Sequence, residues 1–190
     1  MKTLSKEVIE RAVKAKGYKW FEDGQLNVIG VRTADTTVNT FNDFITITYK
    51  EKNEWKFIGF EATTDPGLYW LNKPTNVKGT ASLVPNQYLD AYMLGTHSGY
   101  EAFVQCRLVS VYRDINKDNY LDMDKSTIDE GYFGINIHRA HLQVLQFVID
   151  KYSAGCQVFR KDSSLQTLIN LFKKTDKKYM TYTLLTENDL

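Results

Sequence analysis

The sequence is poor in cysteine. Its 190 residues include only Cys106 and Cys156, and these do not form a C-x-x-C pair. So few cysteines exclude a framework of disulfide bonds, and the missing C-x-x-C pair gives no indication of a structural zinc site. Two interpretations stay open at this point: the cysteines form one disulfide bond, or one of them is a reactive thiol.

The sequence also lacks long apolar runs and an excess of charge of one sign. No segment approaches the roughly 18 apolar residues of a membrane-spanning helix. Residues 1–20 are polar and lack the apolar centre of a signal peptide. We therefore expect synthesis in the cytoplasm without a signal peptide, and no membrane span. The net charge of +1 argues against nucleic acid or an anionic membrane as a partner.

What the sequence does contain is an ordinary globular composition, with 43% hydrophobic and 25% charged residues. The length favours a single domain over residues 1–190. Within this domain we expect residues 1–60 to supply a helix and strands that pack on a candidate catalytic region, 61–190.

The hydrophobic pattern predicts a mainly β protein of the α+β class. Apolar residues at helical spacing predict one helix over 4–16, with Thr3 or Ser5 as its cap, and a second over 163–174, with Ser163 and Gln166 as a capping pair. Segment 141–149 fits a helix, a strand or a packed loop. We expect a mixed β barrel or sandwich, because period-two runs predict strands at 26–31, 44–49, 55–60, 88–94, 102–105, 108–112, 133–137 and 179–185.

One cysteine and one histidine stand in a context typical of catalysis. His138 ends an apolar segment, and Cys156 lies 18 residues later, directly after Ser153-Ala154-Gly155. A nucleophilic thiol needs a base beside it, and an imidazole is the usual one. Gly155 lets the backbone approach a substrate closely and can leave backbone N–H groups to bind an oxyanion. The alternative is that Cys156 is a small buried hydrophobic residue.

This pattern resembles the signature of the L,D-transpeptidase catalytic domain, also called the YkuD family, over residues 131–159. The resemblance implies that Cys156 is the nucleophile and His138 the base, oriented by the backbone carbonyl of Arg139. It also implies a β fold that acts on peptidoglycan peptides without a metal or organic cofactor. Two positions depart from the family pattern. Ala154 stands where the family has a second histidine, and Val158 where it has Asn or Arg.

The whole chain is also similar to small wall-active proteins of Bacteroides and their phages, on the segments 64–70, 94–99, 111–114 and 153–158. The resemblance implies cysteine-dependent hydrolysis or transpeptidation of stem peptides at the cell wall or in the periplasm. A phage-delivered, endolysin-like role fits the polar amino terminus. The alternative is a virion or wall-binding protein that keeps the fold without turnover.

Further residues are candidates for the walls of the site. His97 lies between glycines at a strand end, where it either lines the cleft or occupies a turn. Ser153, Ala154 and the aromatic Tyr92 are candidate substrate contacts, although aromatic residues more often pack in cores. Tyr69, Trp70 and Tyr88 belong to the same group. We expect Cys106 to be a packed strand residue and His141 to lie at the surface. We expect Cys156 to lie in an exposed turn, so that iodoacetamide modifies it well before Cys106.

A polar loop carries a weak calcium pattern. Alternating oxygen ligands in a tight loop resemble the first half of a calcium-binding loop. Asn119 stands where such a loop has glycine, and Lys125 where it has its closing glutamate. A solvated turn is the expected interpretation, and no metal is assigned to the four candidate ligands, Asp114, Asn116, Asp118 and Asp122.

Overall fold

The computed structural model describes residues 3–22 and 24–190. In this part of the chain no helix is long and apolar enough to cross a membrane. The described residues form three α-helices, α1 (Lys6–Ala15), α2 (Leu68–Asn72) and α3 (Asp162–Lys173). The strands are β1 (Asn27–Arg32), β2 (Asp43–Glu51), β3 (Glu54–Thr63), β4 (Thr80–Leu83), β5 (Gln87–His97), β6 (Tyr100–Gln105), β7 (Val109–Asp114), β8 (Asp129–Gly131), β9 (Ile137–Arg139), β10 (Gln157–Phe159) and β11 (Met180–Thr186).

Eight strands close into a barrel in the order β1-β11-β5-β6-β9-β10-β3-β2. The pairs β1/β11 and β9/β10 are parallel, and the other pairs are antiparallel. A smaller sheet has the order β4-β7-β8. The prediction of a mainly β, α+β protein is therefore confirmed, and its sheet is a barrel of mixed direction.

The longest ladder joins β2 to β3 across a tight turn. The register runs from Asp43 opposite Ala62 to Glu51 opposite Glu54. The turn residues Lys52 and Asn53 have φ angles of 51° and 64°, as two-residue hairpin turns require. Strand β3 crosses the boundary expected between residues 60 and 61, so the barrel is built from both parts of the chain.

Side chains alternate between the barrel interior and its outer surface. Along β1, Val28 belongs to the interior cluster, whereas Ile29 and Val31 pack outside against α1. Helix α1 begins after Ser5, whose hydroxyl accepts a hydrogen bond from the Val8 N–H at 3.3 Å. The cap that the sequence allowed at Thr3 or Ser5 is therefore Ser5.

Helix α3 buries its apolar face in the interior cluster. The residues that do so are Leu165, Leu168, Ile169 and Phe172. The predicted capping pair is wrong, because the helix begins one residue earlier. Its N-cap is Lys161, which makes no side-chain cap, so Ser163 lies inside the first turn. Asp162 in that turn suits the positive end of the helix dipole.

The structure corrects the predicted strand at 133–137. Only Ile137–Arg139 is a strand, and it contains His138 rather than leading into it. Gly134 has a φ of 70°, which interrupts an extended segment. The N–H groups of Phe133 and Ile135 both bond to the side-chain carbonyl of Gln105, at 3.1 Å, instead of to a ladder. The short elements α2, β4, β8 and β10 were not predicted.

Segment 141–149 has no helix or strand. The His141 ring nitrogen Nδ1 accepts hydrogen bonds from the N–H groups of Gln143 and Val144, at 3.1 and 3.0 Å. The segment is thus a loop that leaves several apolar side chains exposed, namely Leu142, Val144, Leu145, Phe147 and Val148.

Candidate functional site

The parallel pair β9/β10 brings Cys156 and His138 to one face of the sheet. His138 lies opposite Val158 in the register, and Cys156 precedes Val158 by two residues. Cys156 and Val158 share an outer cluster, whereas Phe159 belongs to the interior. Strands lie about 4.8 Å apart and rise about 3.3 Å per residue. The two Cα atoms are therefore diagonal neighbours.

The turn before Cys156 is fixed by its own hydrogen bonds. Ser153 Oγ donates to the Cys156 carbonyl at 2.9 Å and accepts the Gly155 N–H at 3.1 Å. Gly155 has a φ of 115°, and a Cβ there would lie 2.4 Å from the Ala81 carbonyl oxygen. Glycine is therefore required by conformation and by space.

Two predictions for this turn change. Ser153 is fully buried and uses its hydroxyl within the turn, so its assignment as a substrate contact is wrong. The Gly155 N–H already donates to Ser153 Oγ, so it is not available to bind an oxyanion. No described residue accepts a hydrogen bond from the Cys156 N–H. The Cys156 N–H is therefore a backbone donor beside the thiol that can bind an oxyanion.

The Cys156 thiol is buried, in contrast to the exposed turn expected from the sequence. The residue is 8% exposed. Its thiol donates to the Gly134 carbonyl at 3.4 Å, and Sγ accepts the Asn136 N–H at 3.4 Å. Burial raises the pKa of this thiol to about 11, because removal from water disfavours the thiolate. The resting group is thus a neutral thiol.

His138 has the tautomer that a base needs. Its Nδ1 lies 2.8 Å from the Arg139 carbonyl oxygen, which can only accept, so Nδ1 carries the proton and Nε2 has the free lone pair. This is the contact that the family resemblance implied. Burial first, and then the charge of His97, lower the pKa of His138 to about 3. The imidazole is therefore neutral near pH 7.

Tyr100 and Arg139 surround the base. The Tyr100 hydroxyl donates to the Arg139 carbonyl at 3.2 Å and lies 3.2 Å from His138 Nδ1. The Arg139 guanidinium stacks 4.0 Å from the centre of the Tyr100 ring and forms an ion pair with Asp162 at 2.9 Å. The Arg139 backbone orients the His138 ring, while the Arg139 side chain fixes Tyr100 and the start of α3.

His97 also belongs to this site. Its ring stacks on the His138 ring, with centroids 4.1 Å apart. Asn136 Oδ1 accepts the Gln105 N–H at 3.0 Å, so Nδ2 must face His97 Nδ1, also at 3.0 Å. His97 therefore has its proton on Nε2. Burial lowers the pKa of His97.

Asn136 connects the thiol to the histidines, and the sequence-based prediction missed it. Its N–H bonds to Cys156 Sγ while its side chain bonds to His97. The sequence did contain a feature that could have predicted its position. Asn136 precedes His138 by two residues, so strand alternation places both side chains on one face.

A cavity of about 260 Å³ lies beside the thiol. Ala154 and Trp70 are part of its wall, and their role as substrate contacts stays a prediction. Tyr92 is fully buried in the barrel interior, so its assignment as a substrate contact is wrong. Inward strand alternation explains its position, and it explains that of Tyr88 in the same cluster.

Cys106 is more exposed than expected for a packed strand residue. It follows β6 and is partly exposed. Its Sγ lies 3.6 Å from the Asp90 carbonyl oxygen, and burial still raises its pKa. Both cysteines are free thiols, so the two do not form a disulfide bond.

The polar loop 114–122 is held by bonds among its own groups. Asn116 Nδ2 donates to the carboxylates of Asp118 and Asp122, at 3.0 and 2.7 Å, and the Asp122 N–H donates to Asp114 at 3.0 Å. Within residues 3–22 and 24–190, no group of three or more His, Cys, Asp or Glu side chains is placed to hold a metal ion.

Comparison with known proteins identifies no relative of this chain. No family model matches this chain, and neither a curated protein nor a solved structure does.

Proposed function

We propose that this protein is a cysteine enzyme with an L,D-transpeptidase-like fold, which hydrolyses or transfers stem peptides of peptidoglycan. The observation that carries the proposal is that Cys156 and an oriented imidazole, that of His138, lie on one face of the sheet. The Nδ1–H group of His138 donates a hydrogen bond to the Arg139 carbonyl at 2.8 Å, and His138 lies on the face of the sheet that Cys156 shares. The cell wall is then the place of action.

The neutral state of both groups favours general-base catalysis over a preformed ion pair. Nε2 of His138 takes the thiol proton as Sγ of Cys156 attacks the peptide carbonyl carbon. The developing oxyanion is stabilised by the Cys156 N–H. The C–N bond then breaks, and His138 returns the proton to the leaving amine. The product is a thioester on Cys156.

A second half-reaction frees the enzyme. Water or an acceptor amine attacks the thioester, His138 takes its proton, and Sγ leaves and is reprotonated. Water gives hydrolysis, and an amine gives a cross-link. For the first step the thiol must turn from the Gly134 carbonyl, its present partner at 3.4 Å, towards His138. Substrate that displaces this contact therefore also activates the nucleophile.

Digestion of purified peptidoglycan, followed by mass spectrometry of the fragments, tests the proposal. We expect wild-type protein to yield stem peptides that are shortened or newly cross-linked. Cys156→Ala and His138→Gln should yield none. Cys106→Ala is the matched control and should keep the wild-type products. Identical fragments from wild type and Cys156→Ala would refute the enzyme.

The alternative is a virion or wall-binding protein that keeps the fold without turnover. One observation favours it: in the resting structure Cys156 is buried and its pKa is raised to about 11. Such a protein would sediment with peptidoglycan, and Cys156→Ala would sediment equally, with no new fragments from either. Fragments that depend on Cys156 would exclude this alternative.

A further inference from the structure

The cavity beside Cys156 has the composition of a site for a small anionic group. Its wall includes the thiol, the aromatic side chains of Trp70 and Phe133, and the guanidinium-bearing Arg113. Its volume of about 260 Å³ is below the roughly 300–1,000 Å³ of pockets for drug-sized ligands. It therefore suits the end of a peptide better than a long segment.

Arg113 is held rigidly but keeps unused donors. It is 7% exposed, and its guanidinium carbon lies 4.4 Å from the centre of the Phe133 ring. Nε and Nη2 both contact the Asp129 carboxylate at 3.3 Å, and Nη1 donates to the Gly79 carbonyl, also at 3.3 Å. A guanidinium has five N–H groups, so these three contacts leave one N–H on Nη1 and one on Nη2 for a ligand in the cavity whose wall includes Arg113.

The charge around Arg113 is not balanced by its acidic partner. The Asp129 carboxylate is shared with Lys78, whose Nζ lies 3.3 Å away. These three groups together carry a charge of +1. A planar guanidinium with free donors is the group best suited to bind a carboxylate.

We infer that this cavity binds the free carboxylate at the end of the peptide, with Arg113 as its ligand. This substrate assignment rests on the proposed function. The thiol in the same wall then attacks a peptide bond close to the carboxyl terminus, and the leaving group is a short, carboxylate-bearing amine. Arg113 acts here as a binding and specificity residue.

The preference of the cavity for anions can be measured by alkylation of the Cys156 thiol, which does not require the enzyme to turn over a peptide substrate. Cys156 of the intact protein is treated with iodoacetate or iodoacetamide at pH 9, and the modified peptides are quantified by mass spectrometry. Arg113→Gln should lower the iodoacetate-to-iodoacetamide rate ratio at Cys156 by roughly fivefold, equivalent to about 1 kcal/mol of charge attraction. Arg113→Lys should retain most of the ratio.

Arg107 provides the matched control. It carries the same charge near the other cysteine, where it contributes to the pKa of Cys106. Arg107→Gln should alter the ratio at Cys106 and leave that at Cys156 unchanged. An unchanged ratio at Cys156 in Arg113→Gln would overturn the inference. So would a Cys156 that reacts with neither reagent in the folded protein but reacts with both in urea.

A protection experiment on the wild-type protein covers the case in which Arg113→Gln fails to fold. N-acetyl-D-alanine should slow the reaction of Cys156 with iodoacetamide, whereas its carboxamide should not. Equal protection by both compounds, or by neither, would overturn the inference. Failure of the proposed function is a separate result: anion preference at Cys156 together with no Cys156-dependent peptidoglycan fragments would reject the enzyme and leave the binding site.

Discussion

The two cysteines occupy environments that are nearly opposite to those their sequence contexts indicate. Cys106, in an apolar strand pattern, ends up partly exposed after β6. Cys156, in a glycine-containing turn, ends up buried, with the Asn136 N–H bonded to its sulfur. A turn is exposed only if nothing packs over it, and here Tyr152 and Ile149 from the preceding loop pack against the cluster that contains Cys156. Local sequence therefore identified the candidate nucleophile but not its accessibility.

The largest expected effect concerns the turn that positions Cys156. Gly155→Ala forces a side chain into a conformation with a φ of 115° and against the Ala81 carbonyl. We expect a loss of about 3 kcal/mol or more of stability, measured by urea denaturation. Gly99→Ala is the control, because Gly99 also has a positive φ but open space around its Cβ position. It should cost only about 1 kcal/mol. Equal losses would show that the contact with Ala81 is unimportant.

The second prediction concerns the pH dependence that His138 gives to stability. Its folded pKa of about 3 lies below the unfolded value of about 6.5. Its contribution is therefore fully present above pH 6.5 and is lost as the pH falls towards 3. Between pH 7 and pH 5, this loss amounts to about 2 kcal/mol.

The comparison with His138→Gln isolates that contribution. Asp43 acts in the opposite direction, because burial first and then Asp65 raise its pKa to about 6. It therefore destabilises the protein as the pH rises through this range. We expect the stability of wild type relative to His138→Gln to decrease by about 2 kcal/mol from pH 7 to pH 5. Parallel pH profiles for the two proteins would contradict a buried neutral His138.

The third prediction compares the rates at which iodoacetamide modifies the two cysteines. Without substrate, iodoacetamide at pH 8 should modify Cys106 at least about tenfold faster than Cys156, because the reacting species is the exposed thiolate. The sequence alone favoured the reverse order. The difference should vanish in urea, where both thiols are exposed. Faster modification of Cys156 in the folded protein would show that its thiol is already activated.

The smallest expected effect concerns the polar loop 114–122. The loop is closed by its own hydrogen bonds, so EDTA and then millimolar calcium should leave the melting temperature unchanged. A ligand that binds only the folded protein raises its stability. A rise with calcium that is lost in Asp118→Asn would establish a calcium site.

Sequence patterning predicted most of the barrel, because its strands alternate and end at turn residues. It failed at β4, β8, β10 and α2, which are short, and at 133–137, where Gly134 bends the chain. At the candidate site it identified Cys156 and His138 from local spacing. It missed Tyr100, which β6 brings to His138 from a distant part of the sequence. Such long-range contacts depend on strand order, and strand order cannot be deduced from periodicity.

The most direct test of the central claim is the intact mass of the protein after brief mixing with a stem tetrapeptide and quenching in acid. We predict a covalent adduct equal to the acyl part of the peptide, which fragmentation locates on Cys156 and which is absent from Cys156→Ala. His138→Gln should not form it, and Cys106→Ala should form it normally. Peptide turnover without an adduct, together with the same turnover in Cys156→Ala, would contradict nucleophilic catalysis by this thiol.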